Sequence, residues 1–133
     1  MYFEDVWNAQ MLDSLPLVTT PDVVMCDQCC WQEEFRGQAR LRRVIDEYLA
    51  GYKSFSYDVQ HMMVSADGTV VLAKWAAEAM HLGAFLGIQA SGRIEALQGM
   101  TTFEVRDGKI CRIETFRTSL CSEVGRASLM HEV

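Results

Sequence analysis

The chain has 133 residues, 50% of them apolar and 23% charged, with a formal net charge of -6. That length suits one domain, residues 1–133, with a sizeable core. The acidic balance speaks against a nucleic-acid partner, which demands a concentrated basic face. The start, MYFEDVWNAQ, lacks the basic and apolar regions of a secretory leader, and no run nears the roughly 18 apolar residues of a membrane span, so a cytoplasmic protein with no membrane partner is expected.

Phe3, Val6 and Trp7 follow i, i+3, i+4 spacing and predict a short amphipathic helix over residues 2–10. A second short helix is expected over 13–17, with Pro16 in its first turn, and a brief strand over 23–26. The next helix is the clearest. Leu41, Val44, Ile45, Tyr48, Leu49 and Tyr52 form one apolar stripe, and Gly51 stands where a C-terminal cap belongs. Arg40, Arg42 and Arg43 read as its solvated face.

After Ser54 the period changes to two. Tyr57, Val59, His61 and Met63 share one strand face, with Asp58 and Gln60 on the other. Asp67-Gly68 is read as a hairpin turn with positive φ at both central residues. The returning strand sets Val71, Ala73, Trp75, Ala77, Ala79 and His81 on one face; outward, Leu72, Ala76 and Met80 alternate with Lys74 and Glu78. A third strand is expected over 94–105 and a fourth over 110–118, joined at Asp107-Gly108. Helices first and a four-strand meander afterwards predict an α+β fold, its sheet wrapped around one helix layer.

Five cysteines, an odd number, do not read as a disulfide framework. Cys26, Cys29 and Cys30 offer half of a zinc motif, but no second Cys or His pair follows at finger spacing, so free thiols are expected and no metal. Phosphate loops, nucleophilic serine motifs and dinucleotide fingerprints are absent from the sequence, and no cofactor is expected.

Four segments occur in a familiar order: Trp7-Asn8-Ala9-Gln10-Met11-Leu12-Asp13; Phe35-Arg36-Gly37 followed by Ala39 and Leu41; Gly83-Ala84-Phe85-Leu86-Gly87-Ile88 with Ser91-Gly92-Arg93; and Phe103-Glu104-Val105-Arg106-Asp107-Gly108-Lys109-Ile110. Together they resemble the SnoaL-like polyketide cyclases, a branch of the superfamily with the nuclear transport factor 2 fold. The resemblance implies a small cone-shaped domain, its N-terminal helices packed on a curved, mainly antiparallel sheet around an apolar pocket. Three departures stand out. The first helix reads as shortened. Gln89 and Ala90 replace the family's loop prolines. The acid that cyclases carry after the last strand falls on Thr118, or on Arg117 if the register slips by one. The ketosteroid isomerases are a second resemblance: their general-base aspartate falls on Asp27, but their oxyanion-hole donors fall on Phe3 and Thr101. Phe3 cannot donate a hydrogen bond, which disfavours ketosteroid chemistry.

On this footing Asp27 and His61 are the candidate catalytic pair. An aspartate set among apolar walls has its charged form disfavoured, which suits it to proton transfer; the alternative is a surface loop aspartate. His61 would be its counterpart if the Tyr57 face is the interior one. Tyr57, Trp75, His81, Thr101 and Phe103 would shape and orient the substrate, although plain core packing gives the same aromatic pattern. Arg117 would point inward, as a further substrate-binding residue, if Ile113 and Thr115 do, but a buried guanidinium needs an acidic partner and solvent at the open end is its expected place. The expected function is cofactor-independent cyclisation, isomerisation, dehydration or epoxide opening on an apolar small molecule. The alternative is a non-catalytic ligand-binding or dimerisation module, and in either case a homodimer through the outer sheet face is expected.

Overall fold

The computed structural model describes residues 2–3, 6, 9, 11–27, 34–81 and 94–118, with backbone alone at 27, 53–55 and 81. A 3-10 turn (Leu12–Ser14) leads into α1 (Leu15–Val18), β1 (Thr19–Asp27), β2 (Glu34–Arg36), α2 (Gln38–Gly51), β3 (Tyr52–Val64), β4 (Val70–His81), β5 (Ile94–Arg106) and β6 (Lys109–Arg117). The strands form a six-stranded mixed sheet in the order β2-β1-β6-β5-β4-β3. The β1–β6 pairing is parallel, and the other four are antiparallel. This is the expected α+β architecture.

At 14 residues α2 is close to the length at which an isolated helix is marginal, so packing must hold it. Its stripe does so. Leu41, Val44, Ile45, Tyr48 and Leu49 are all buried, each contributing roughly 1.5–3 kcal/mol by leaving water. Its start is tied to β1 by Gly37 N–H donating to Val23 O (2.8 Å) and Gln38 Nε2 donating to Thr19 O (3.1 Å). Gly37 adopts φ +88 there, a conformation that favours glycine. The end of the helix differs from expectation. Gly51 is its last residue, not a left-handed cap, and the chain passes directly into extended Tyr52 at φ -121.

Two further elements escaped the periodicity. The three-residue β2 pairs with β1, and Glu34 on it accepts from Arg112 of β6 (3.0 Å) and from Arg36 (2.7 Å). The Arg112 hydrogen bond holds the Glu34 carboxyl below its ordinary range. The second is a bulge in β3. Val59 pairs with Trp75 but His61 pairs with Lys74, so Gln60 is an extra residue and the alternation changes phase. Met62 therefore takes the inner position opposite Ala73, while His61 lies exposed on the outer side beside Lys74. The inward histidine expected from unbroken alternation is thus overturned by one inserted residue.

The two Asp-Gly turns also part company. Asp107 (φ 53) and Gly108 (φ 77) make the two-residue hairpin with both central residues left-handed. At the other turn only Gly68 has positive φ. There Asp67 Oδ1 accepts from Ser65 Oγ (2.7 Å), Thr69 N (3.0 Å) and Thr69 Oγ1 (2.8 Å), so side chains close a longer loop. These bonds draw the Asp67 carboxyl down to about 2.

Candidate interior site

The inner face of the sheet is set by alternation on β4, β5 and β6. Trp75 Nε1 donates to Thr101 Oγ1 at 2.9 Å, and Thr101 Oγ1 lies 3.1 Å from Thr115 Oγ1. The indole can lie against β5 because residue 99 is glycine. A Cβ there would sit 2.6 Å from Trp75 Cζ2 and 2.7 Å from the Phe116 carbonyl oxygen. Thr115 in turn is the register partner of Asp27, the last residue of β1. One line of hydrogen-bonding groups thus runs from β4 through β5 and β6 to the strand position of Asp27. Beside it, Arg117 Nη2 donates to the Tyr48 hydroxyl at 2.8 Å, and its guanidinium lies 5.8 Å from the centre of that ring. Arg117 thus reaches α2, where solvent at the open end was the expectation.

Aromatic side chains fill the middle of the interior. Phe3 lies 4.8 Å from Tyr57, 6.3 Å from Trp75 and 5.8 Å from Phe103, ring centre to ring centre. Tyr57 also meets Trp75 edge-on at 4.9 Å. Such contacts add about 0.5–1.5 kcal/mol each beyond the area they bury. On the hairpin side of this septum lies a cavity of about 320 Å³ whose walls include Phe103, Val59, Met62, Val71, Val105 and Ile110. It is an apolar space at the end of the sheet remote from Asp27.

The expected site residues are therefore distributed unevenly. Trp75 is 1% exposed and Thr101 1% exposed. Both belong to the packed interior, and Thr101 spends its hydroxyl on Trp75 and Thr115, not on an open wall. Phe103 is buried but borders the cavity, and Tyr57 is half-buried against Phe3 and Trp75. His61 is exposed and does not converge with Asp27. The side chains of Asp27 and His81 lie outside the described residues, as do Cys29, Cys30 and the glycine loop at 83–92. Among the described residues no group of three or more His, Cys, Asp or Glu is placed to hold a metal, and no helix is long and apolar enough to cross a membrane.

Sequence reasoning passed over Glu95. It is 5% exposed, on the inner phase of β5 with Leu97, Thr101 and Phe103, and among the described residues neither carboxyl oxygen has a hydrogen-bond partner. The signal was available: a charged residue in the apolar phase of a period-two strand.

A sequence model described as SnoaL-like polyketide cyclase matches residues 1–115. Among solved structures, a protein from Jannaschia sp. CCS1 assigned as a SnoaL-like polyketide cyclase superposes with a TM-score of 0.80 at 19% identity, covering 97% of this chain and 83% of that one. IdmH from Streptomyces antibioticus, assigned as a polyketide cyclase, gives 0.75 at 20% identity over 93% of both chains. AclR from Streptomyces galilaeus, assigned as a hydroxylase, gives 0.73 at 20% identity over 92% of this chain and 77% of that one. At such identities the likeness speaks for the fold, and two assigned activities on one frame mean that chemistry must be argued from residues. No curated protein sequence matches the chain significantly.

Proposed function

The chain belongs to the SnoaL-like polyketide cyclase family, and from that premise we propose that it performs acid/base chemistry on an apolar small molecule, with Asp27 as the proton-transfer residue. The reaction would be a cyclisation, isomerisation, dehydration or epoxide opening. Each needs a proton moved in a site that excludes water. The observation that carries the proposal is the line Trp75–Thr101–Thr115, which leads to the strand position paired with Asp27. In this reading Thr101 and Trp75 are positioning residues. Thr101 holds Thr115, whose hydroxyl stands next to Asp27 in register. Arg117 orients the substrate together with Tyr48 and Tyr57. His61 has no part, and His81 contributes at the rim of the site.

The test uses a simple apolar ketone. Exchange of the activated C–H protons of 2-tetralone in D₂O, followed by NMR, should run faster with the protein than in buffer. Asp27→Asn should cut that acceleration by roughly 10²–10⁴ while leaving the fold intact. An unchanged rate in the variant would remove Asp27 from the mechanism.

A second reading is a non-catalytic ligand-binding or dimerisation module. Two observations favour it: the exposed His61 and the aromatic septum that fills the middle of the interior. The outer sheet face also carries exposed Met100 and Phe116 around a groove of about 360 Å³ bordered by Lys74 and Gln98. That half-apolar face suits a homodimer in either reading. Wild-type exchange no faster than buffer would leave this second reading in place.

A further inference from the structure

Glu95 pairs with Ala79 across the β4–β5 ladder, and Ala77 and Leu97 are its companions on the inner face. None of these three side chains offers a donor. Enclosing a carboxyl group with nothing to bond is strongly unfavourable, and a residue retained for packing at this position would be apolar. Among the described residues neither oxygen has a partner. Elsewhere in the interior Trp75 and Thr101 bond each other, and Arg117 bonds Tyr48.

We propose that Glu95 is a ligand-binding residue, its carboxyl oxygens taking a hydrogen bond from a hydroxyl on an otherwise apolar ligand such as a phenol or an enol. The inference rests on the reading of the interior as a site for an apolar small molecule, and it deepens that reading by naming the polar group the ligand must carry.

The test compares 4-propylphenol with propylbenzene in ligand-observed NMR titrations of wild-type protein, Glu95→Leu and Glu95→Gln. Wild type should favour the phenol roughly tenfold, the size expected of one hydrogen bond to a buried carboxyl group. Glu95→Leu should abolish the preference and raise Tm, because it removes an unpartnered polar group. If Glu95→Leu does not fold, Glu95→Gln decides the matter, with the preference expected to fall severalfold. Equal binding of both probes by wild type overturns the role of Glu95 and leaves the apolar site standing. A preference that survives substitution overturns it too. Failure of both probes to bind overturns the apolar-site reading, and the Glu95 inference with it.

Discussion

The two ends of the interior are built on different principles. At the Asp27 end the inward positions are polar and committed: Trp75 to Thr101, Thr101 to Thr115, Arg117 to Tyr48. At the hairpin end they are aliphatic and leave about 320 Å³ empty. Phe3, Tyr57, Trp75 and Phe103 stand between the two. Volume and chemistry are thus separated within one small domain. An apolar lining has no hydrogen bonds to lose to open space, whereas a buried directional group is stable where a partner lies within about 3 Å, a condition the Glu95 carboxyl does not meet among the described residues.

Removing the septum should have the largest effect. Phe3→Ala deletes a buried ring that packs beside four others, and a loss of about 3–5 kcal/mol is expected in urea unfolding. A much smaller loss would mean that the two ends already communicate. A mirror-image pair of isosteric swaps sharpens the contrast. Thr101→Val should cost about 1–3 kcal/mol because it strands the Trp75 indole N–H. Val59→Thr, which puts a hydroxyl into the half-buried apolar wall, should cost about 1 kcal/mol. Thermal unfolding of both variants tests it, and the reverse order would contradict the division drawn here. The smallest effect concerns the turn that closes the hairpin end. Asp67 titrates at about 2 in the folded protein against an ordinary 3.8, so its contribution is complete above pH 4 and is lost as pH falls towards 2. Asp67→Ala should flatten that acid limb of the Tm profile and lower Tm slightly at pH 7.

What could be read from residues alone follows from how local each signal is. The α2 stripe is a matter of 3.6-residue spacing, and all of its members are buried. Both Asp-Gly turns were recognisable as turns, yet only Asp107-Gly108 takes the tight form. Ser65 and Thr69 redirect the other through Asp67. The parallel partnership of β1 with β6 joins residues far apart in the chain and leaves no local mark. Tyr57, Trp75 and Phe103 were rightly placed on the inner face, but an inward phase does not distinguish a wall from a plug. Phe3, from a distant segment, decides that. Glu95 was legible and was missed, because attention followed the residues that a familiar family uses.

The supernumerary Gln60 has a consequence that no point substitution can reproduce. Because β3 is the outermost strand on its side, shortening it by one codon would disturb no further neighbour. Deleting Gln60 would straighten the ladder yet leave His61 opposite Lys74 on the outer side and Met62 opposite Ala73, because the pairs on either side of it keep their faces. Length polymorphism at this point therefore tunes the twist of the sheet edge and leaves the chemistry of the inner face unchanged.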